Sequence, residues 1–93
     1  MNESEFRASL AARGCERIGI VEWEAGRLSP EHAHEFTAFG LVLDGGFTLR
    51  TPTGARLLRP GDVFELAAGI PHVEDVGDRG ARILSGRLEP SSA

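Results

Sequence analysis

The sequence predicts an all-β fold, an antiparallel sandwich or barrel, preceded by one short helix. Three observations carry this. β-branched and aromatic residues come in short runs, as in Ile18, Ile20, Val21 and Trp23, and again in Val63-Phe64-Glu65-Leu66. Glycine- and proline-bearing turn signals separate the runs at regular spacing. Only the N-terminal stretch carries both helix-start and helix-stop residues.

Residues 2–13 read as the helix. Asn2 is the N-cap, with Glu5 three positions on to close a capping box. Phe6 and Leu10, four apart, share one face, and Gly14 stops the helix. It is expected to pack as a lid on the barrel edge. The strand signal begins at Arg17 and breaks at Gly26. Residues 32–43 give the longest apolar strand signal, and Asp44-Gly45-Gly46 predicts a hairpin turn. Phe47 to Arg50 is the return strand. Pro52-Thr53-Gly54 turns again, and Ala55 to Arg59 follows. Pro60-Gly61 has the type II signature, with Asp62 serving the turn. After Val63–Leu66 a loop runs through Gly69 and Pro71. His72 opens a strand, Asp78-Arg79-Gly80 is expected to turn it, and Ala81 to Leu88 closes the fold. The chain is therefore one domain over 1–93: a helical segment 1–14, a barrel over about 17–88 and a frayed tail 89–93.

On the 32–43 stretch, His32, His34, Phe36, Ala38, Gly40 and Val42 share one face. Phe39, Leu41 and Leu43 share the other. A strand apolar on both faces is covered on both. The second sheet, the N-terminal segment or another subunit supplies that cover, so a homodimer is expected.

Composition narrows the function. The net charge is −4, against a domain that itself grips nucleic acid or an anionic membrane. No run of about 18 apolar residues exists to span a bilayer. Glu3 and Glu5 sit where an apolar signal core would be. Cys15 is the only cysteine, so no internal disulfide forms, and a cytoplasmic location is expected. No base can be placed beside Cys15, so it is not read as a nucleophile.

The histidines are the chemical signal. His32 and His34 stand at i and i+2, which in an extended strand points both rings the same way with Cα atoms about 6–7 Å apart. His72, the one other histidine, follows in Gly69-Ile70-Pro71-His72. A pair from one stretch and a third from a distant strand is a workable metal ligand set. Three imidazoles suit zinc, iron, nickel or copper.

The chain resembles a small single-domain cupin, an RmlC-like jelly roll. The first motif of that family runs G(X)5HXH(X)3,4E(X)6G. Gly26, His32, His34 and Gly45 or Gly46 match it. The second runs G(X)5PXG(X)2H(X)3N, and Gly61, Gly69 and His72 match, with Ala67 for the proline and Val76 for the asparagine. The resemblance implies a cupin-type double-stranded β-helix, with His32, His34 and His72 as ligands of a divalent transition metal. The family glutamate is absent. Its slot falls on Ala38, or on Phe39 at the longer spacing, and the shared face favours Ala38. His34-Glu35-Phe36 is also similar to the sugar-sensing arm of AraC-type regulators, without their helix-turn-helix.

A site without that carboxylate implies a strongly Lewis-acidic metal with an open position. A chelating β-dicarbonyl, α-hydroxy acid or α-keto acid fits such a site, as does dioxygen on iron or a metal-activated water on zinc. Glu74, two residues past His72, points into the same cavity as a general base or as the replacement ligand. Phe36, Ala38 and Phe64 are the expected lining of a small-molecule pocket. Glu31 and Glu35 face away, as surface charge. Two classes follow: a metal-dependent enzyme, such as a dioxygenase or isomerase, and a non-catalytic module that senses a small ligand and acts through a partner protein.

Overall fold

The computed structural model describes residues 1–90. Tail positions 91–93 lie outside the described residues. Helix α1 spans Glu3–Ala12, followed by strands β1 (Glu16–Trp23), β2 (Thr37–Thr51), β3 (Gly54–Leu58), β4 (Val63–Leu66) and β5 (Val73–Leu88). The helix starts as its sequence requires. The Asn2 side chain accepts from the Glu5 backbone N–H at 2.8 Å, and the Glu5 carboxylate accepts from Asn2 at 3.0 Å.

All pairing is antiparallel, in the order β1-β5-β2-β3, with β4 also on β2. The two long strands β2 and β5 form the frame of the jelly roll. Their first contact sets Thr37–Gly45 against Leu88–Ala81, and their second sets Phe47–Arg50 against Val76–Val73. Between the two, the register shifts. Inward residues on β2 change from even (Ala38, Val42) to odd (Phe47, Leu49), and those on β5 from even (Val76) to odd (Ala81, Ile83).

This corner corrects two expectations. Asp44-Gly45-Gly46 and Asp78-Arg79-Gly80 are not turns; each lies inside a continuous strand. Gly45 and Gly80 do have positive φ, +68° and +71°. Here that conformation lets two bulged strands bend together. The strands pass so closely that a Cβ on Gly45 would overlap the Gly80 carbonyl oxygen. The other turns form as expected. Pro52-Thr53 joins β2 to β3, with Thr51 opposite Gly54. At Pro60-Gly61 the Asp62 N–H donates to the Arg59 carbonyl at 2.9 Å, while the Asp62 carboxylate accepts from the Arg59 N–H at 2.8 Å.

Two apolar clusters result. Val42, Phe47, Leu49, Leu58, Val76, Ala81 and Ile83 fill the barrel, with Trp23 and Phe64 against them. Phe6 and Leu10 of α1 pack outside it on Phe39, Leu41 and Leu84. The N-terminal helix therefore covers the second face of β2, and that face needs no second subunit to bury Phe39 and Leu41.

Candidate metal centre

A third correction concerns 32–36. Regular strand begins only at Thr37. Residues 27–34 instead run as an irregular extended segment beside 69–76, held at separated points. The His32 N–H donates to the His72 carbonyl at 3.0 Å, and His72 returns the bond at 2.8 Å. Ser29 N–H donates to the Glu74 carbonyl (3.0 Å), Gly69 N–H to that of His34 and Val76 N–H to that of Arg27 (both 2.8 Å). His32 and His72 thus form a directly opposed antiparallel pair, whose side chains share a face. The next alternate positions, His34 and Glu74, turn to the same side.

The three rings converge. Their ligating nitrogens all lie within 4.8 Å of one another. Ring centroids are 4.2 Å apart for His32–His72, 5.0 Å for His32–His34 and 5.1 Å for His34–His72. The tautomers follow from the partners. His32 Nδ1 lies 2.8 Å from the Pro30 carbonyl oxygen and His72 Nδ1 lies 3.0 Å from that of Ile70. A carbonyl only accepts, so both Nδ1 atoms carry the proton and donate. That leaves each Nε2 facing inward, the arrangement that backbone carbonyls impose on metal-bound histidines. Burial holds the His34 imidazole below its usual pKa. His72, His32 and Arg87 push the same way and Glu74 opposes, so His34 stays neutral to lower pH.

Glu74 completes the cluster. It is buried, with Oε2 3.0 Å from His72 Nε2 and 3.3 Å from His32 Nε2. Its other oxygen accepts from Arg27 at 3.1 Å, and its backbone N–H donates to Ser29 Oγ at 2.8 Å. Arg27 in turn sits 5.0 Å over the Trp23 ring. The sequence places Glu74 in the cavity, but nothing in it marks Arg27 and Ser29 as the groups that aim this carboxylate. Their one signal is position, between the motif glycine and the first histidine.

The cluster opens into a cavity of about 270 Å³, mostly apolar in lining. Phe36, Ala38 and Phe64 are among its lining residues. Phe36 does more than fill space: its ring stacks on His34, with centroids 4.6 Å apart and planes 16° off parallel. Phe64 packs edge-on to Phe47 at 5.6 Å. It reaches the barrel interior over Gly40, where any Cβ would overlap its ring. Ala38 and Phe39 both border the cavity, while the Phe39 ring packs among the helix contacts with the Arg13 guanidinium 4.9 Å over it. Glu31 and Glu35 are exposed. Cys15 stands apart from the cavity lining, its thiol pKa raised by burial against the lowering effect of Arg13.

The family model for the cupin domain matches residues 19–86. Among solved structures, a conserved protein of unknown function from Streptococcus pyogenes is similar at 19% identity, with a TM-score of 0.71 over 81% of this chain and 65% of its own. A cupin superfamily protein from Desulfitobacterium hafniense is similar at 20% identity, with a TM-score of 0.69 over 78% of this chain and 66% of its own. KdgF from Halomonas sp. is similar at 23% identity, with a TM-score of 0.64 over 76% of this chain and 68% of its own. This chain thus spans about two thirds of each. No curated protein matches it in sequence.

Proposed function

From the premise that this chain belongs to the cupin family, we propose that it holds one divalent transition metal and, through the remaining coordination positions, a small polar ligand. The ligands are His32, His34 and His72, with Glu74 in place of the glutamate absent at Ala38. One observation carries this. Oε2 of Glu74 faces two Nε2 atoms whose ring protons are committed to Pro30 and Ile70. Lone pairs opposed at such range need a cation among them. The spacing from Glu74 to the two rings suits a metal: two ligand atoms about 2.1 Å from one ion lie roughly 3.0 Å apart at a right angle and roughly 3.4 Å apart at the tetrahedral angle. The observed 3.0 and 3.3 Å fall in that interval.

Bound there, the ion would supply Lewis-acid polarisation of a ligand oxygen. The protein does the rest. Arg27 and Ser29 fix the Glu74 carboxylate. The backbone carbonyls of Pro30 and Ile70 fix two ring orientations. Phe36 and Phe64 give the cavity beside the site an apolar wall. Both Glu74 oxygens are engaged, so the carboxylate is assigned to holding the metal rather than to acting as a free base. The cytoplasm, where a lone thiol such as Cys15 stays reduced, and a homodimeric state belong to the proposal; a solution mass near 10.0 kDa would remove the dimer.

The test is elemental analysis of untagged protein, with a chelator competition on Glu74→Gln. Close to one ion per chain is expected, bound at least about tenfold more weakly in the variant. Wild-type protein free of metal would mean that protons on the imidazoles are the missing cations. Loss of turnover in His72→Ala then marks an enzyme; ligand-dependent stabilisation without product marks a sensor.

A further inference from the structure

Two guanidinium groups line the cavity, and they differ. Arg27 is held by Glu74. Arg87, half-buried on β5, takes part in none of the ion pairs among the described residues. Its guanidinium lies 4.1 Å over the Phe36 ring, which is itself stacked on His34. A guanidinium over a ring face is held by the ring without using up its N–H donors. The register then matters. Ala38 is the direct cross-strand partner of Arg87, and both line the cavity. Directly opposed residues on one face have Cβ atoms about 4.5–5.5 Å apart. The position where the carboxylate is missing is therefore the position beside the cavity cation that has no ion-pair partner among the described residues.

We infer that the ligand is a small carboxylate whose anionic group occupies the space above Ala38, one oxygen towards the histidine cluster and the other on the Arg87 guanidinium. This rests on the metal reading and adds the ligand's chemical class. Replacing the glutamate by Ala38 leaves room for a carboxylate brought in by the ligand, and Arg87 supplies the countercharge. A second polar oxygen on the ligand reaches the remaining open position. The cavity of about 270 Å³ that Phe36 and Phe64 help to line has room for a ligand the size of malonate.

Malonate and its neutral analogue malonamide, titrated calorimetrically into metal-loaded protein, test this. Arg87→Met should weaken malonate about ten- to hundredfold, the range for a charged hydrogen bond, and leave malonamide and metal content unchanged. Arg87→Lys should recover only part, because an ammonium lacks the planar fork. Ala38→Glu should keep the metal and lose malonate, its own carboxylate taking the slot. Malonate binding undiminished in Arg87→Met at equal metal content, or malonamide binding as tightly as malonate to wild type, would overturn the inference. Metal-free wild-type protein would defeat the metal reading alone. In that protein, malonate binding that still depends on Arg87 keeps the carboxylate slot, and binding that does not depend on it removes the slot.

Discussion

The two faces of β2 solve opposite problems with one strand. Outward, Phe39 and Leu41 are buried at 5% and 1% exposure beneath Phe6 and Leu10. Inward, Ala38 and Gly40 alternate with them; Ala38 lines the cavity, and Gly40 makes room for the Phe64 ring that also lines it. Bulk on one face holds the fold together, and small residues on the other keep the site open. Filling or emptying either face should therefore have separable effects. His72→Ala removes a ligand and one side of the opposed pair; metal retention in a chelator competition should be abolished while far-ultraviolet dichroism stays that of a β protein. Leu10→Ala empties the outer face and should cost about 2–5 kcal/mol in urea unfolding with metal content intact. Equal damage to metal content would mean the faces are not independent. Gly40→Val fills the inner face, displaces Phe64 and should cost about 1–3 kcal/mol, with ligand binding lost before metal. Ser29→Ala removes the hydroxyl acceptor of the Glu74 N–H and should cost about 1 kcal/mol, weakening metal retention only slightly.

The smallest effect is on pH. His34 titrates below its ordinary 6.5 in the folded protein, so the folded state binds fewer protons than the unfolded state as pH falls through that value. Metal-free protein should hold its full stability above about pH 6.5 and lose some as the pH falls towards the depressed folded value. His34→Gln should flatten that slope. An unchanged slope would assign the acid sensitivity to other groups.

Local chemistry was readable wherever it was local in cause. The Asn2–Glu5 box, the Pro60-Gly61 turn and the shared face of His32 and His34 each depend on neighbours a few residues apart. The two glycine corners did not read correctly because positive φ serves a hairpin and a bulge alike. Only the partner strand separates the two, and β2 meets β5 across 23 or more residues of chain. Strand onset at Thr37 rather than His32 has a similar origin: 27–34 pairs with 69–76 at isolated points, and no local signal marks the gap. Glu74 could be placed by alternation from His72. Arg87 could not, because its meaning comes from register, from lying opposite Ala38, where the family glutamate is absent.

The most direct measurement is a crystal structure of metal-loaded protein with anomalous data collected at the metal edge. A single peak about 2.1 Å from Nε2 of His32 and His72, with His34 and Glu74 Oε2 also in its shell, is the expected result. A peak elsewhere, or none, with Glu74 hydrogen-bonded to protonated rings, would contradict the account.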